Sequence, residues 1–320
     1  MKILFLSLIV LPTFIAGVVE AQEKNDTGST RTKDPDYYNV VLSNAPLSQQ
    51  EYNWSGIETV FGRKGTGQGD VFKVTFPRTD LKVKMENVTI DPGLALTSWI
   101  AFRPMGADTM AMGDMVLLEK EIAPAMGKLI ENGFEVSALH NHITGESPKV
   151  MYMHFEGLGG AVKLAESMKA VLAQTKTPLG PPPPKVEHAV LIDWGEVEVI
   201  LGYKGNHNGK LLQFGIPRVE RIREGEMEVP PFMGMATGIN FQKEGKKAAT
   251  TGDLVLLAEE VNPVIRALTE NGIAVTAVHN HMLNETPRLF FIHFWGYDDP
   301  EKLARGLRAA LDKTNSARAK

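Results

Sequence analysis

The stretch GDMVLLEKEIAPAMGKLIENGFEVSALHNHITGESPKVMYMHFEGLGGAVKLAESMKAVL, Gly113 to Leu172, returns 139 residues later as GDLVLLAEEVNPVIRALTENGIAVTAVHNHMLNETPRLFFIHFWGYDDPEKLARGLRAAL, Gly252 to Leu311. Over these 60 positions 26 residues are identical, which marks an internal duplication and makes one copy the unit whose fold has to be read. Upstream the match loosens: Lys64 and Gly65 answer to Lys204 and Gly205, and Arg78 answers to Arg218, one residue out of step. Between the copies lies TPLGPPPPK, residues 177–185, whose five prolines favour an extended, stiff spacer. The copies are therefore expected at 50–176 and 186–314, with a short tail at 315–320.

Each copy carries the same order of patterns. Val71 to Phe76 reads as a strand, as do Val197 to Leu201 and Leu211 to Phe214. A helix follows, with Pro124 or Pro263 in its first turn and Gly133 or Gly272 as its stop. Its apolar stripe is Ile122, Met126 and Leu129, or Val261, Val264, Ile265 and Leu268. Two strands come next, Phe134 to His142 and Lys149 to Phe155, matched by Ile273 to His281 and Arg288 to Phe294. They are apolar on both faces, which predicts central, covered strands. A last helix repeats apolar residues at Val162, Ala165, Met168 and Leu172, or at Leu303, Leu307 and Leu311, with Asp299 and Pro300 as N-cap and first position in copy two. The fold class expected is α+β: a tandem duplication, each copy a mostly antiparallel sheet with helices packed on one face.

Composition narrows the function classes. With 320 residues, 43% hydrophobic and 22% charged, the chain has the make-up of a folded soluble protein and of neither a disordered nor a multi-span membrane protein. A net charge of −4 and no run of five Lys or Arg exclude the electrostatic footprint of a nucleic-acid surface. The absence of cysteine excludes disulfides, thiolate metal sites and a cysteine nucleophile, so any metal must bind through His, Asp, Glu or Met. Lys2, the apolar run 3–19 and the small-residue step Val19-Glu20-Ala21 read as a secretory signal over 1–21, followed by a polar lead-in over 22–49. No later segment is long and apolar enough to span a bilayer, so the mature chain is expected to be extracytoplasmic, periplasmic or secreted.

Six of the eight histidines fall in the repeated motif: His140, His142 and His154 in copy one, His279, His281 and His293 in copy two. Residues i and i+2 of a strand share a face, so His140 and His142 project side by side, and a hairpin turning at 143–148 brings His154 opposite them. Three neutral imidazoles converging on one point suit a divalent transition metal with a coordination position left open, zinc being favoured. Glu146 and Glu285, four residues after each HNH tripeptide, are the candidate catalytic bases or fourth ligands, and metal-assisted hydrolysis is the natural reaction class. Met105, Met110, Met112, Met115, Met151 and Met153 raise copper as an alternative, although Thr251, Phe290 and Ile292 replace three of them in copy two. A non-catalytic module, two domains flanking a cleft for a small ligand or a partner protein, is the reading from a different class. Whether the triads form two sites or one is open at this level.

Other signals point away from chemistry. The glycine-rich run Gly62 to Gly69 precedes a strand, so it reads as a hairpin loop instead of a phosphate cradle. Arg78 and Arg218 read as solvated strand ends, with a carboxylate or phosphate grip as the alternative, and Asp114 and Asp253, each after a glycine, read as turn residues. The adjacent HNH letters do not match the dispersed residues of the nuclease of that name, and G-x-S-x-G, P-loop and HExxH motifs are absent.

On the strength of Gly62-Arg-Lys-Gly65, Thr75-Phe-Pro-Arg78, Met112-Gly-Asp114, Ala138-Leu-His-Asn-His142, Gly145-Glu-Ser-Pro148, Val261-Asn-Pro263, His279-Asn-His281 and Phe290-Phe-Ile-His-Phe-Trp295, nearly all of the mature chain resembles the bacterial LppY/LpqO family, a domain family of unknown function named after mycobacterial lipoproteins. The resemblance implies the tandem architecture and an extracytoplasmic location, and no particular reaction. The chain departs from a lipoprotein in having no cysteine to lipidate.

Overall fold

Along Val71–Pro77 and Leu211–Pro217 only one position of seven is exposed, the pattern of strands in sheets covered on both faces. The structure, a computed structural model, describes residues 52–181 and 192–318. The signal, the lead-in and residues 182–185 of the proline-rich spacer lie outside the described residues.

In copy one, helix α1 (Ser55–Phe61) leads into strands β1 (Thr66–Gln68) and β2 (Val71–Pro77). An arm follows, made of β3 (Lys84–Met85), β4 (Val88–Thr89) and the single turn α2 (Pro92–Ala95). Then come β5 (Thr97–Met105), β6 (Asp108–Leu118), α3 (Glu119–Glu131), β7 (Glu135–His140), β8 (Val150–Gly159) and α4 (Ala161–Leu172). Copy two repeats this as α5 (Gly195–Leu201), β9 (Asn206–Asn208), β10 (Leu211–Pro217), an arm with β11 (Arg223–Glu224), β12 (Met227–Glu228) and a 3-10 turn at Pro231–Met233, then β13 (Ala236–Glu244), β14 (Lys247–Leu256), α6 (Ala258–Glu270), β15 (Ala274–His279), β16 (Glu285–Thr286), β17 (Phe290–Asp298) and α7 (Pro300–Leu311). The two main sheets are antiparallel and have the same order, β1-β2-β5-β6-β8-β7 and β9-β10-β13-β14-β17-β15. The expected tandem α+β duplication is what the structure has.

Each sheet packs its own helices on one face, around Phe76, Phe102, Met153, Phe155 and Leu172 in copy one and Phe241, Ile292, Phe294, Leu307 and Leu311 in copy two. The other faces meet each other through exchanged arms. The arm of copy one packs Met85, Ile90 and Leu94 against Leu211, Ala249 and Trp295 of copy two, and the arm of copy two packs Ile222, Met233 and Met235 against Val71, Ala101 and Met112 of copy one. Backbone groups lock the exchange: Gln242 donates to Thr89 O at 2.8 Å and accepts from the Asp91 N–H at 2.8 Å, and Asn240 donates to Leu94 O at 3.1 Å. The result is helices, sheet, sheet, helices, with a layer of packed side chains between the sheets.

Three local expectations differ from the structure, the first in that Pro124 and Pro263 lie inside α3 and α6, not in their first turns. Val197 to Leu201 is helix α5, because its buried residues, Val197, Glu198 and Leu201, follow a helical spacing while Val199 is exposed, and Gly202 closes the turn at φ 76°. The strands that carry the HNH tripeptides, β7 and β15, are edges of their sheets, not central. Of their apolar residues, Val136 and Val275 pack on the helix-side core of their own copies while Leu139 and Val278 are exposed; Asn141 Nδ2 donates to Thr276 O of the other copy at 3.0 Å.

Arg78 and Arg218 are neither solvated nor free to grip a ligand. Each is fully buried and forks onto a glutamate of the same copy's helix, Arg78 on Glu121 at 2.9 and 3.2 Å and Arg218 on Glu260 at 2.7 and 3.0 Å. Each also donates to a strand carbonyl, Val116 O or Val255 O. Glu121 and Glu260 in turn accept the N–H of Leu118 and Leu257, so one buried fork fixes strand end and helix start together. Arg218→Ala is expected to lower stability by about 3–5 kcal/mol, since it leaves a buried carboxylate unpaired. Arg305→Ala, in an exposed pair with Glu301, is expected to cost less than about 1 kcal/mol. Urea midpoints of the two variants check the contrast.

Candidate metal centre

The centre starts from cross-strand register. On β8, His154 lies opposite Asp114 of β6 and Ala138 of β7; on β17, His293 lies opposite Asp253 of β14 and Ala277 of β15. A bulge at Ser137, repeated at Thr276, shifts the register of the edge strand just before its histidine and so re-aims His140 and His279. The Thr276 hydroxyl at that bulge donates to His142 O of the other copy. Gly252, beside Asp253, is required by close approach: a Cβ there would stand 2.0 Å from Gly238 O.

Across the layer between the sheets the six imidazoles meet in pairs, one from each copy. His140 stacks on His279 at 3.7 Å between ring centroids, His142 on His293 at 3.7 Å and His154 on His281 at 3.8 Å. Tyr152 covers the outer face of His142 at 3.3 Å, and Phe291 covers that of His281 at 3.6 Å. Two three-ring stacks thus flank a central histidine pair. The question of one site or two is answered at the level of geometry: all six rings belong to one centre at the junction of the copies.

Hydrogen bonds select which nitrogens face inward. His140 Nδ1 donates to Asn141 O at 3.2 Å and His293 Nδ1 donates to Gly252 O at 2.7 Å, which leaves Nε2 of each as the lone-pair nitrogen. The Nε2 atoms of His279 and His281 stand 2.9 Å apart and share a hydrogen bond, one ring donating to the other. Ligand nitrogens of His140, His279, His281 and His293 all lie within 4.8 Å of one another, and so do those of His140, His142 and His154. His140 belongs to both sets.

Asp114 and Asp253 are the residues sequence reading missed. They are not turn residues: both sit inside long strands, Asp114 buried and Asp253 half-buried, with Asp114 3.9 Å from His154 Nε2 and 4.0 Å from His142 Nε2, and Asp253 3.5 Å from His281 Nε2. Their identity in both copies was the available signal, and a Gly-Asp step opening an apolar run obscured it. Burial pushes the Asp114 carboxyl up to about 8 and Asp253 well above its usual range, the latter with help from the Asp114 charge. Burial also drives the imidazoles down, His140 to about 4 and His142, His154, His281 and His293 well below the usual histidine range. In the centre without a cation, burial thus disfavours charge on the rings and on both carboxyls alike. Within it the buried atoms His140 Nε2, His142 Nε2, His154 Nε2, His279 Nδ1, His293 Nε2, Asp114 Oδ1 and Asp253 Oδ1 have no hydrogen-bond partner.

Glu146 and Glu285 enter neither ligand set. Glu146 accepts the Val150 N–H at 3.1 Å, and Glu285 accepts the Leu289 N–H at 2.9 Å and the Arg288 guanidinium at 3.1 Å, so each ties the loop after its HNH tripeptide to the returning strand. Met153 is buried in the helix-side core, on the face of β8 opposite to His154, and Met151 shares its side of the strand.

The fold and site define a class: a duplicated two-sheet protein with a shared histidine and aspartate centre between the copies. Both copies, residues 55–174 and 195–313, match the family described as Domain of Unknown Function (DUF1259), and the chain belongs to that family. No curated protein matches it. Among solved structures, a trimeric bacterial microcompartment shell protein, PduB, is 12% identical over 78% of this chain and 93% of its own, with a TM-score of 0.19. EtuB from Clostridium kluyveri is 11% identical over 78% and 88%, with a TM-score of 0.18. Similarities at that level carry no functional inference. Among the described residues no helix is long and apolar enough to cross a membrane.

Proposed function

We propose that this protein binds one divalent transition metal ion, zinc favoured, in a centre built jointly by both copies. The observation that carries the proposal is the gathering of seven buried, unpartnered nitrogen and oxygen atoms from five histidines and two aspartates in one centre. A buried polar atom without a partner costs roughly 1–3 kcal/mol, so seven at one point call for a ligand that satisfies them together. Nitrogen-rich donors with carboxylates suit zinc, and the thioethers of Met151 and Met153, which would favour copper, face the other side of the sheet. As in the sequence reading, the protein is proposed to be of the LppY/LpqO type and to act outside the cytoplasm, supported by the signal-like residues 1–21.

A neutral imidazole has one lone pair, and both ligand sets draw on His140, so they do not fill at once. The expected content is one ion per chain although the motif occurs twice. If the bound metal activates water for hydrolysis, the carboxyls nearest to it are those of Asp114 and Asp253, and Glu146→Gln with Glu285→Gln is expected to retain turnover. The test is elemental analysis of untagged mature protein purified without chelator, beside a variant with His140, His142, His279 and His281 all changed to Ala. About one equivalent in the parent and none in a folded variant is the expected result. Metal-free parent protein after reconstitution would remove the proposal.

A further inference from the structure

The two copies agree at every histidine and aspartate of the centre and disagree immediately beside it. Two residues beyond His154 on the same face of β8, about 7 Å along the strand, stands Glu156; the equivalent residue beyond His293 is Trp295. Facing these positions are the arms, and there the disagreement is matched: Glu224 on β11 corresponds to Met85 on β3. In one half of the molecule Met85 and Trp295 are therefore buried together in an apolar cluster. In the other half the corresponding residues are two glutamates.

An apolar contact is thus sufficient to close this junction, and the same chain demonstrates it 139 positions away. The acidic version carries a cost that packing does not require. Glu156 is 9% exposed, Glu224 is half-buried, and the Oε2 atom of each is buried without a hydrogen-bond partner. Glu285 lies directly across from Glu224 in the β11–β16 pair, and Glu135 lies across from Glu156 on β7, so like charges oppose each other on both sides. Glu224, Glu135 and Glu285 all lie close enough for their charges to act on the Glu156 carboxylate. Glu285 is already engaged by Leu289 and Arg288, and Glu224 accepts hydrogen bonds from Asn284, which leaves the Oε2 atoms of Glu156 and Glu224 as the available donors.

We propose that Glu156 and Glu224 form a second cation site, separate from the histidine centre, that takes a hard divalent ion of the Mg²⁺ class. All-oxygen donors select such ions over zinc or copper, and Mg²⁺ is commonly held by one or two carboxylates with water completing its octahedron. The site does not depend on the histidine centre being a metal site.

The test is titration of the full mature chain with MgCl₂ by calorimetry and with MnCl₂ by electron paramagnetic resonance. Four proteins are compared: the parent, His140→Ala, Glu156→Gln with Glu224→Gln, and Glu156→Trp with Glu224→Met. The last copies the apolar junction of the other half and guards against loss of fold. One saturable Mg²⁺ or Mn²⁺ site is expected in the parent and in His140→Ala, weakened at least tenfold in both glutamate variants while their zinc content is unchanged. No saturable binding in the parent, equal binding in the glutamate variants, or loss of binding in His140→Ala would each overturn the proposal.

Discussion

Replacing His140 with alanine is expected to empty the histidine centre, whereas replacing His142 leaves it able to hold an ion. Both follow from His140 being the one ring shared by the four-histidine set with His279, His281 and His293 and the three-histidine set with His142 and His154. With His142 gone, the four-histidine set is untouched. With His140 gone, the larger set falls to three and the smaller to two. Loss of an outer partner of a metal ligand costs roughly 10–100-fold in affinity, and loss of a shared ligand should exceed that. The expected outcome is a fall in zinc affinity of more than about 100-fold for His140→Ala and within about tenfold for His142→Ala, read by competition with a chromophoric chelator. Equal losses in the two variants would show that the ion sits in the smaller set.

Removing the metal should cost the whole molecule stability, not one copy of it. An ion bound only by the folded state adds about 4 kcal/mol when its free concentration is 1,000 times the dissociation constant. For a chain of this size each kcal/mol moves the melting temperature by roughly 2–4 °C, so chelation is expected to lower it by about 10 °C. Because the ligands come from both sheets, and the arms Met85–Leu94 and Ile222–Met235 are exchanged, both copies should shift together in one transition. Zinc added to His140→Ala should produce little of this shift. A melting temperature unchanged after elemental analysis shows the zinc removed would refute the role of the ion as a fastener between copies.

Much of the fold was legible because its signals are local. Gly133 and Gly272 end α3 and α6 at φ 80° and 72°, and Asp299 caps α7 by accepting the Lys302 N–H at 3.0 Å, as the sequence patterns predict. The hairpin that brings His154 across from the HNH tripeptide follows from strand periodicity and a short connection. Val197 to Leu201 misled because five residues with alternating valines satisfy a strand period, and packing of Val197 and Leu201 against the helix layer decides for helix.

The site divides in the same way. The sequence by itself determined that the protein is a duplication, that each copy is an antiparallel sheet with helices on one face, and that three imidazoles in each copy share a face, since backbone period and turn chemistry act within a few residues. Contacts remote in sequence decide that the two triads join, that β7 and β15 are edges, that Asp114 and Asp253 stand beside the rings while Glu146 and Glu285 hold loops, and that Glu156 and Glu224 take the places that Trp295 and Met85 hold in the other half. Those outcomes depend on which buried faces and arms come together across more than a hundred residues of chain, and that choice is made by the total surface buried between the sheets, which no local pattern records.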